Sequence, residues 1–162
     1  MMDKNKRIEA IVWSIALPGF AQLLNHSYIK GILFVLLEIF INVQANFNYI
    51  IIPSFQGEID TAIEMTNYQW IMFYPCLYMF AMWDAYKSAG GGDKPYAYVP
   101  FALAAFVGTV GVIISPIFQI ASISFGPIWC GIIFHIIGFI VGVWLMKQLR
   151  QKLPLDEETV EL

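Results

Sequence analysis

The stretch SIALPGFAQLLNHSYIKGILFVLLEI, residues 14 to 39, decides the topology of this chain. It contains two apolar runs separated by the polar turn Asn25-His26-Ser27, so it can cross a membrane twice, once or not at all. Pro18 and Gly19 interrupt the first run, because proline removes a helical hydrogen bond and clashes with the preceding turn. Every later element takes its orientation from how this stretch is placed.

The composition indicates a membrane protein. The 162 residues are 59% hydrophobic and 13% charged, with a mean hydropathy of +0.66, whereas soluble domains carry about 25% charged residues. The apolar residues fall in nearly uncharged blocks of about 20 residues, a length that matches a hydrocarbon layer of about 30 Å. The net charge of -3 says little about partners, because the charges lie in loops and tails.

Five hydrophobic segments follow along the chain, with no internal repeat and no room for a second domain. They run from Ile8 to Leu24, Tyr28 to Asn46, Gln69 to Ala89, Tyr98 to Ile120 and Ser124 to Met146. The polar interruption from Phe47 to Tyr68 either forms a short amphipathic helix around Ile59 and Ile63 or is an ordinary loop. The sequence AGGGDKP at residues 89 to 95 predicts a turn, since three glycines and a proline do not sustain a helix.

The distribution of basic residues chooses between the topologies, because Lys and Arg near membrane helices stay on the cytoplasmic side. The nine are Lys4, Lys6, Arg7, Lys30, Lys87, Lys94, Lys147, Arg150 and Lys152. If all five segments cross, starting inside, three of the nine lie inside and six lie outside. If residues 8 to 46 cross only once in net terms, all nine are cytoplasmic, and the loop with Glu58, Asp60 and Glu64 is outside.

The sequence therefore predicts an all-α integral membrane protein with four membrane-spanning helices and an N-terminal re-entrant or interfacial helix that is broken at Pro18 and Gly19. The alternatives are five spans, or a signal peptide with a cleavage site ending at Ala21. A single polytopic domain covers residues 1–162: a hairpin and third helix in 1–89, a helix pair in 98–146 and a cytoplasmic tail in 147–162. The expected location is the plasma membrane, multi-pass, with both termini cytoplasmic.

Two quoted runs carry a family resemblance. ALPGFAQLLNHSYIKGILFVLLEI, followed by WIMFYPCLYMFAMWDAYKSA, resembles the TM-two-domain family and related small uncharacterised bacterial multi-span membrane proteins over residues 8–89. The matching positions are Pro18, Gly19, Gln22, Tyr28, Lys30, Gly31, Trp83 and Asp84. The resemblance implies a bacterial membrane location and a shared motif, and no reaction.

Polar residues inside the segments are the first candidate site. Glu38, Asn42 and Asn46 are spaced by four, which places them on one face of a continuous helix, and His135 lies at a comparable depth in the last segment. A carboxylate in a membrane segment is expected to face the bundle interior. The cluster, including a contact between Glu38 and His135, either responds to protons or ions or holds the helices together.

A second candidate lies at the cytoplasmic ends of consecutive helices, where Lys30 and Asp84 are expected to form an ion pair. Cys76 and Cys130 lie at similar depth and could touch, although both are expected to be buried thiols. His26 and His135 lack the spacing of metal ligands. No catalytic arrangement, metal site or cofactor is expected.

Small residues predict close helix packing. Gly138 and Gly142 form G-x-x-x-G in the last segment, and Ala104, Gly108, Gly111 and Ser115 recur in the fourth. Such residues allow backbones to approach, so these two segments are expected to pack on each other or on a partner. Pro75 and Pro116 are expected to kink their helices.

Two functions remain. The first is a non-enzymatic accessory or assembly protein that binds the lipid bilayer and another membrane protein or a second copy of itself. The alternative is an oligomeric transporter or channel component that uses the Glu38, Asn42, Asn46 and His135 cluster. Nothing in the sequence suggests nucleic-acid binding.

Overall fold

The computed structural model describes residues 4–153, and this part of the chain is mostly helical. The helices are α1 (Lys4–Ala16), α2 (Phe20–Leu24), α3 (Tyr28–Gln44), α4 (Phe47–Gln56), α5 (Ile59–Met65), α6 (Tyr68–Ile71), α7 (Tyr74–Tyr86), α8 (Val99–Ile114) and α9 (Gly126–Lys152). Helix α7 ends in a turn (Lys87–Gly91) in which Gly90 has a left-handed backbone, with φ +80°. A two-residue hairpin of β1 (Gln119–Ile120) and β2 (Ile123–Ser124) joins the last two helices. The end of the predicted tail, residues 154–162, lies outside the described residues.

Helix α3 runs antiparallel to α7 and α6 along its whole length. Contacts between them join Lys30 to Asp84, Phe34 to Phe80, Glu38 to Tyr74 and Phe40 to Trp70. At the far end the backbone N–H of Asn67 donates to the carbonyl of Ala45, 3.4 Å away. The second and third predicted segments are therefore neighbours in the bundle.

The remaining long helices extend the same up-and-down order. Helix α8 is antiparallel to α7: Phe101 packs on Trp83 near one end, and Thr109 meets Cys76 toward the other. Helix α9 packs antiparallel on α8 along a seam of small residues. The four-helix order is thus α3, α7, α8 and α9.

The first predicted segment is a helical hairpin that enters and leaves at one end of this bundle. Helix α1 rises along α7 until the Tyr78 hydroxyl donates to the Ile15 carbonyl. The chain then reverses, because Gly19 has φ +97°, a left-handed conformation that glycine adopts without steric cost. Helix α2 returns to the level of Ala81. The predicted break at Pro18 and Gly19 and the return turn at residues 25–27 are confirmed.

Residues 47 to 68 are more ordered than the sequence indicates. Helix α5 confirms the amphipathic interpretation of residues 59–65. Helix α4 was not predicted, and it leaves α3 at a bend of 68°. The bend lies at Asn46, where φ is +59°. Helices α4 and α5 cover the end of α9, with Trp129 donating to the Ser54 carbonyl at 2.9 Å.

Both proline predictions need correction in detail. The third segment is interrupted at Met72 and Phe73, and Pro75 then lies in the first turn of α7, where its missing N–H costs no helical bond. Pro116 does not kink α8, because the helix ends at Ile114. Helix α9 continues six residues beyond the predicted Met146, to Lys152.

One helix of the described chain meets the length and hydropathy expected of a membrane span on its own. This is α9, which has 27 residues. Helices α3 and α4 meet the criterion only when they are taken together across their bend, and α8 is apolar but has 16 residues. The structure thus confirms a mostly helical chain with one membrane-capable helix.

The basic residues lie at one end of the bundle, and a group of three acidic residues lies at the other. The basic end, defined by the N-terminus of α1, the Lys30 and Asp84 pair, residues 87–96 and the C-terminus of α9, carries all nine Lys and Arg. Arg150 ties this end together by donating to the Pro95 carbonyl at 2.8 Å. The opposite acidic end, formed by α4, α5 and the start of α9, carries Glu58, Asp60 and Glu64.

Candidate functional site

A polar site held by hydrogen bonds and an ion pair lies where the α1–α2 hairpin meets α3 and α7. We call it the hairpin junction, formed by Gly19, Gln22, Lys30, Gly31 and Asp84. Gln22 is 1% exposed, and its Nε2 donates to the Ala81 carbonyl at 2.8 Å and to Asp84 Oδ2 at 3.2 Å. The buried amide of Gln22 therefore links the hairpin to α7, in addition to the bond from Tyr78 to the Ile15 carbonyl.

Asp84 also receives the predicted ion pair. Lys30 Nζ lies 2.7 Å from Asp84 Oδ1, with side-chain exposures of 56% for Lys30 and 18% for Asp84. Each carboxylate oxygen of Asp84 thus accepts from a different element, α2 or α3. The ion pair is confirmed, whereas the bond from Gln22 was not predicted, although Gln22 belongs to the quoted motif.

The two glycines of the hairpin junction allow its backbones to touch. A Cβ on Gly19 would lie 2.5 Å from the Gly31 carbonyl oxygen, and one on Gly31 would lie 2.5 Å from a methyl of Leu23. Both distances are shorter than Cβ atoms show in folded proteins, and at Gly19 the neighbouring atom is backbone, which cannot move aside as a side chain can. The start of α2 therefore packs directly against the backbone of α3, which brings Gln22 and Lys30 to the same carboxylate.

Glu38 lies in a separate polar cluster between α3 and α7. It is 8% exposed, and its Oε1 accepts from the Tyr74 hydroxyl at 3.2 Å and from Asn42 Nδ2 at 3.4 Å. Tyr74 is a partner that sequence spacing did not reveal. Asn46 does not join this cluster, because the helix ends before it and its Nδ2 donates to the Met65 carbonyl at 3.1 Å.

His135 does not contact Glu38, which corrects the predicted pair. Its Nδ1 lies 2.7 Å from the Gly131 carbonyl one turn earlier on α9, so Nδ1 carries the proton and donates. The ring packs on Gly108 of α8. Within residues 4–153, His135 Nε2 is buried without a hydrogen-bond partner. The predicted cluster of four is therefore three separate sites.

The small residues of α8 and α9 pack on each other. This confirms the first of the two predicted arrangements, packing of the two segments on each other rather than on a partner. A Cβ on Gly138 would lie 2.7 Å from the Leu103 carbonyl oxygen, and one on Gly142 would lie 2.5 Å from the Cα of Pro100. On α8, Gly111 faces Phe134, and Ala104 and Ser115 are fully buried. Ser115 Oγ donates to the Val112 carbonyl at 2.8 Å.

The cysteines form no disulfide, and only one matches its prediction. Cys130 is buried. Cys76 is exposed on α7, with its Sγ 3.5 Å from Thr109 Oγ1. Among the described residues no group of three His, Cys, Asp or Glu side chains could hold a metal ion.

Comparisons with protein-family models, curated proteins and solved structures find no match to this chain. Fold and chemistry therefore define the class. It is a small, mostly helical protein whose described part contains one membrane-capable helix, a basic end, an acidic end and a polar junction that holds an N-terminal hairpin in place.

Proposed function

We propose that this chain is a polytopic plasma-membrane protein without enzymatic activity that acts as an accessory or assembly partner of another membrane protein or of a second copy of itself. In this proposal α3, α7 with α6, α8 and α9 cross the bilayer. The α1–α2 hairpin is re-entrant from the cytoplasmic side. Both termini are cytoplasmic. The resemblance to the TM-two-domain family belongs to the same proposal.

One observation carries the proposal: in the most apolar 18-residue stretch of α9, only 22% is buried inside the protein. A core helix of a soluble protein is mostly buried, and large exposed apolar patches mark membrane or protein contacts. Helix α9 exposes Ile132, Ile136, Ile137, Phe139, Ile140, Val141 and Trp144, and α3 exposes a similar row. In contrast, Glu38 and Gln22 are buried. Apolar outside and polar inside is the arrangement that a lipid solvent favours.

The charge separation supports the orientation. All nine basic side chains lie at one end of the bundle, and Glu58, Asp60 and Glu64 lie at the other. Positive residues are retained in the cytoplasm during insertion. The basic end is therefore assigned to the cytoplasm and the acidic end to the outside.

The proposed binding role is based on which side chains are engaged within the chain and which face outward. Asp84 and Glu38 are engaged by side chains of the chain itself. The outward faces of α3 and α9 instead present apolar side chains. Such faces offer shape and van der Waals contact, which drive helix association in lipid.

Transport is the second candidate, and the buried carboxylate of Glu38 is the observation that favours it. Ionisable residues in membrane helices commonly mark ion or proton paths. The separation of Glu38 from His135 weakens this candidate, because the two groups do not form a continuous polar path.

A site-specific cross-linking experiment tests the proposal. A photoreactive amino acid replaces Leu36 on α3 or Ile140 on α9, both exposed, and buried Ile50 serves as the matched control. We expect at least one outward position to give a discrete protein adduct in cells, while Ile50 gives none. Lipid adducts alone at both outward positions would contradict the accessory role.

The variant Glu38→Gln then separates the two candidates. Gln keeps an acceptor for Asn42 and Tyr74, so the fold should persist, and the cross-linked adduct should remain. Proton or ion flux that is present in vesicles with the native chain and absent with Glu38→Gln, assembly being intact, would instead establish transport.

A further inference from the structure

A groove of about 340 Å³ lies between α1 and α2, beside the hairpin junction and separate from it. Its lining includes Lys6, Glu9, Trp13, Leu24, Asn25 and His26. The volume is near the lower end of the range of about 300–1,000 Å³ that is usual for small-molecule pockets. The groove opens at the basic end of the bundle.

The groove carries one positive and one negative side chain that do not neutralise each other directly. Lys6 and Glu9 are three residues apart on α1, so their Cβ atoms are about 5–6 Å apart on one face. Both side chains are exposed, and no ion pair joins them in the part of the chain that the structure describes. The two charges are therefore available to a ligand that carries both signs.

The groove also has an apolar side. Trp13 is 40% exposed and Leu24 is 47% exposed, whereas Asn25 and His26 provide polar groups near the return turn. His26 Nδ1 already pairs with the Tyr28 hydroxyl at 2.9 Å, which fixes the orientation of its ring. A ligand with a polar head and an apolar tail matches this division.

We infer that the groove binds the headgroup of a zwitterionic phospholipid that has a primary amine, of the phosphatidylethanolamine class. Lys6 faces the phosphodiester, Glu9 accepts hydrogen bonds from the ammonium, and Trp13 and Leu24 lie along the start of the acyl chains. The inference rests on the proposed membrane embedding, which places the basic end at the headgroup level of the inner leaflet.

The charge balance decides between headgroups. Lys6 and Glu9 together are neutral, which complements a zwitterion, whereas Glu9 repels a headgroup that carries only negative charge. A primary ammonium donates hydrogen bonds to a carboxylate, and such charge-assisted bonds are the stronger ones. The quaternary ammonium of phosphatidylcholine has no N–H to donate, so it loses the contact with Glu9.

Lipid retention by the full-length protein tests this. The protein is reconstituted in vesicles of phosphatidylethanolamine, phosphatidylglycerol and phosphatidylcholine in equal amounts with identical acyl chains. It is then extracted in mild detergent, and the retained lipids are counted by mass spectrometry. We expect phosphatidylethanolamine to be enriched over phosphatidylcholine by roughly three- to tenfold, the factor that one hydrogen bond of typical net strength provides, since solvent at this exposed site weakens the contribution of charge.

Two variants assign the contacts. Glu9→Gln should abolish the preference for phosphatidylethanolamine over phosphatidylcholine, and Lys6→Gln should lower the retention of all three lipids. Asp93→Asn and Lys94→Gln are matched controls, because both residues are exposed at the basic end outside the groove lining. The controls should leave the lipid ratio unchanged.

Equal retention of the ethanolamine and choline lipids would overturn the inference, as would a preference for phosphatidylglycerol. The same applies if Glu9→Gln behaves like Asp93→Asn. Flotation with the vesicles separates these results from a failure of the proposed function. A chain that does not float contradicts the membrane embedding itself, whereas a chain that floats without lipid preference contradicts only the assignment of the groove.

Discussion

Asp84 is the residue on which the N-terminal part of the bundle converges. Its two carboxylate oxygens accept from Lys30 on α3 and from Gln22 on α2. The two partners differ in environment, since Lys30 is more than half exposed and Gln22 is buried. An exposed ion pair contributes about 0–1 kcal/mol, whereas a buried amide that loses an acceptor costs about 1–3 kcal/mol. The bond from Gln22 is therefore the stronger constraint.

We predict that Asp84→Ala lowers the free energy of unfolding by about 1–2 kcal/mol, while Lys30→Ala lowers it by less than about 1 kcal/mol. The reason is that Asp84→Ala removes an acceptor from buried Gln22, and Lys30→Ala removes only the exposed pair. Denaturant titration of the protein in detergent micelles, followed by circular dichroism, measures both values. Equal losses would show that Gln22 gains nothing from Asp84.

The residue contacts were predictable only in part. The pair of Lys30 and Asp84 follows from charge and level along two consecutive helices. The bond between Glu38 and Tyr74 depends on how α3 and α7 are rotated about their axes. Because both helices are apolar on all sides, their sequences do not specify this rotation. The spacing of four residues puts Asn46 on the face of Glu38 only if the helix is continuous. Its positive φ ends that helix and turns its side chain toward α5.

At the scale of elements, the seam between α8 and α9 is the most extensive contact between two helices in the described chain. Gly138 and Gly142 face backbone atoms of α8, which cannot move aside independently of the helix. Gly131, two turns earlier on α9, faces only a methyl group of Val112, and an added Cβ would lie 3.3 Å from it. The seam therefore contains glycines of two kinds.

We predict that Gly142→Ala destabilises the protein by about 1–3 kcal/mol, the usual cost of overpacking. Gly131→Ala is the matched control on the same helix. It should change the free energy of unfolding by less than about 1 kcal/mol, because the gain in helix propensity offsets a mild contact. Thermal unfolding in detergent compares the two. A tolerated Gly142→Ala would mean that the helices are further apart than described.

Element boundaries show what the sequence leaves open. The break at Gly19 was predictable, because proline and glycine act through the local backbone. Helix α4 was not predictable, because residues 47 to 56 belong to a stretch that the sequence presents as a polar interruption. Packing on α5 and α9 stabilises this helix. The interruption of the third segment was misplaced, since Pro75 begins a helix as readily as it kinks one.

At the scale of the whole molecule, the separation of charge is the feature that the sequence predicted best. The nine basic residues were assigned to one side from their positions in the chain, and the structure brings them to one end of the bundle. The number of crossings is harder to derive. Among the helices within residues 4–153, only α9 has the length of a span by itself. Helices α3 and α8, with 17 and 16 residues, are shorter than the layer they are proposed to cross.

We predict that a cysteine at Glu58 reacts with a membrane-impermeant thiol reagent added to intact cells, and that a cysteine at Asp93 does not. Both residues are exposed, one at the acidic end and one at the basic end. The background carries Cys76→Ala and Cys130→Ala, and lysed cells, in which both sites should react, are the control. Labelling only at Asp93 in intact cells would show that the orientation is the reverse of the proposed one. Labelling at both sites would show that no membrane separates the two ends.

The hairpin junction has a consequence for how the chain is made. The side chain that anchors the hairpin, Asp84, follows Gln22 by 62 residues and Lys30 by 54. A ribosome therefore completes α1, α2 and α3 before the docking surface on α7 exists. Until then the hairpin has no partner for its buried amide, so its final placement belongs to a late stage of synthesis, after the second proposed crossing has emerged.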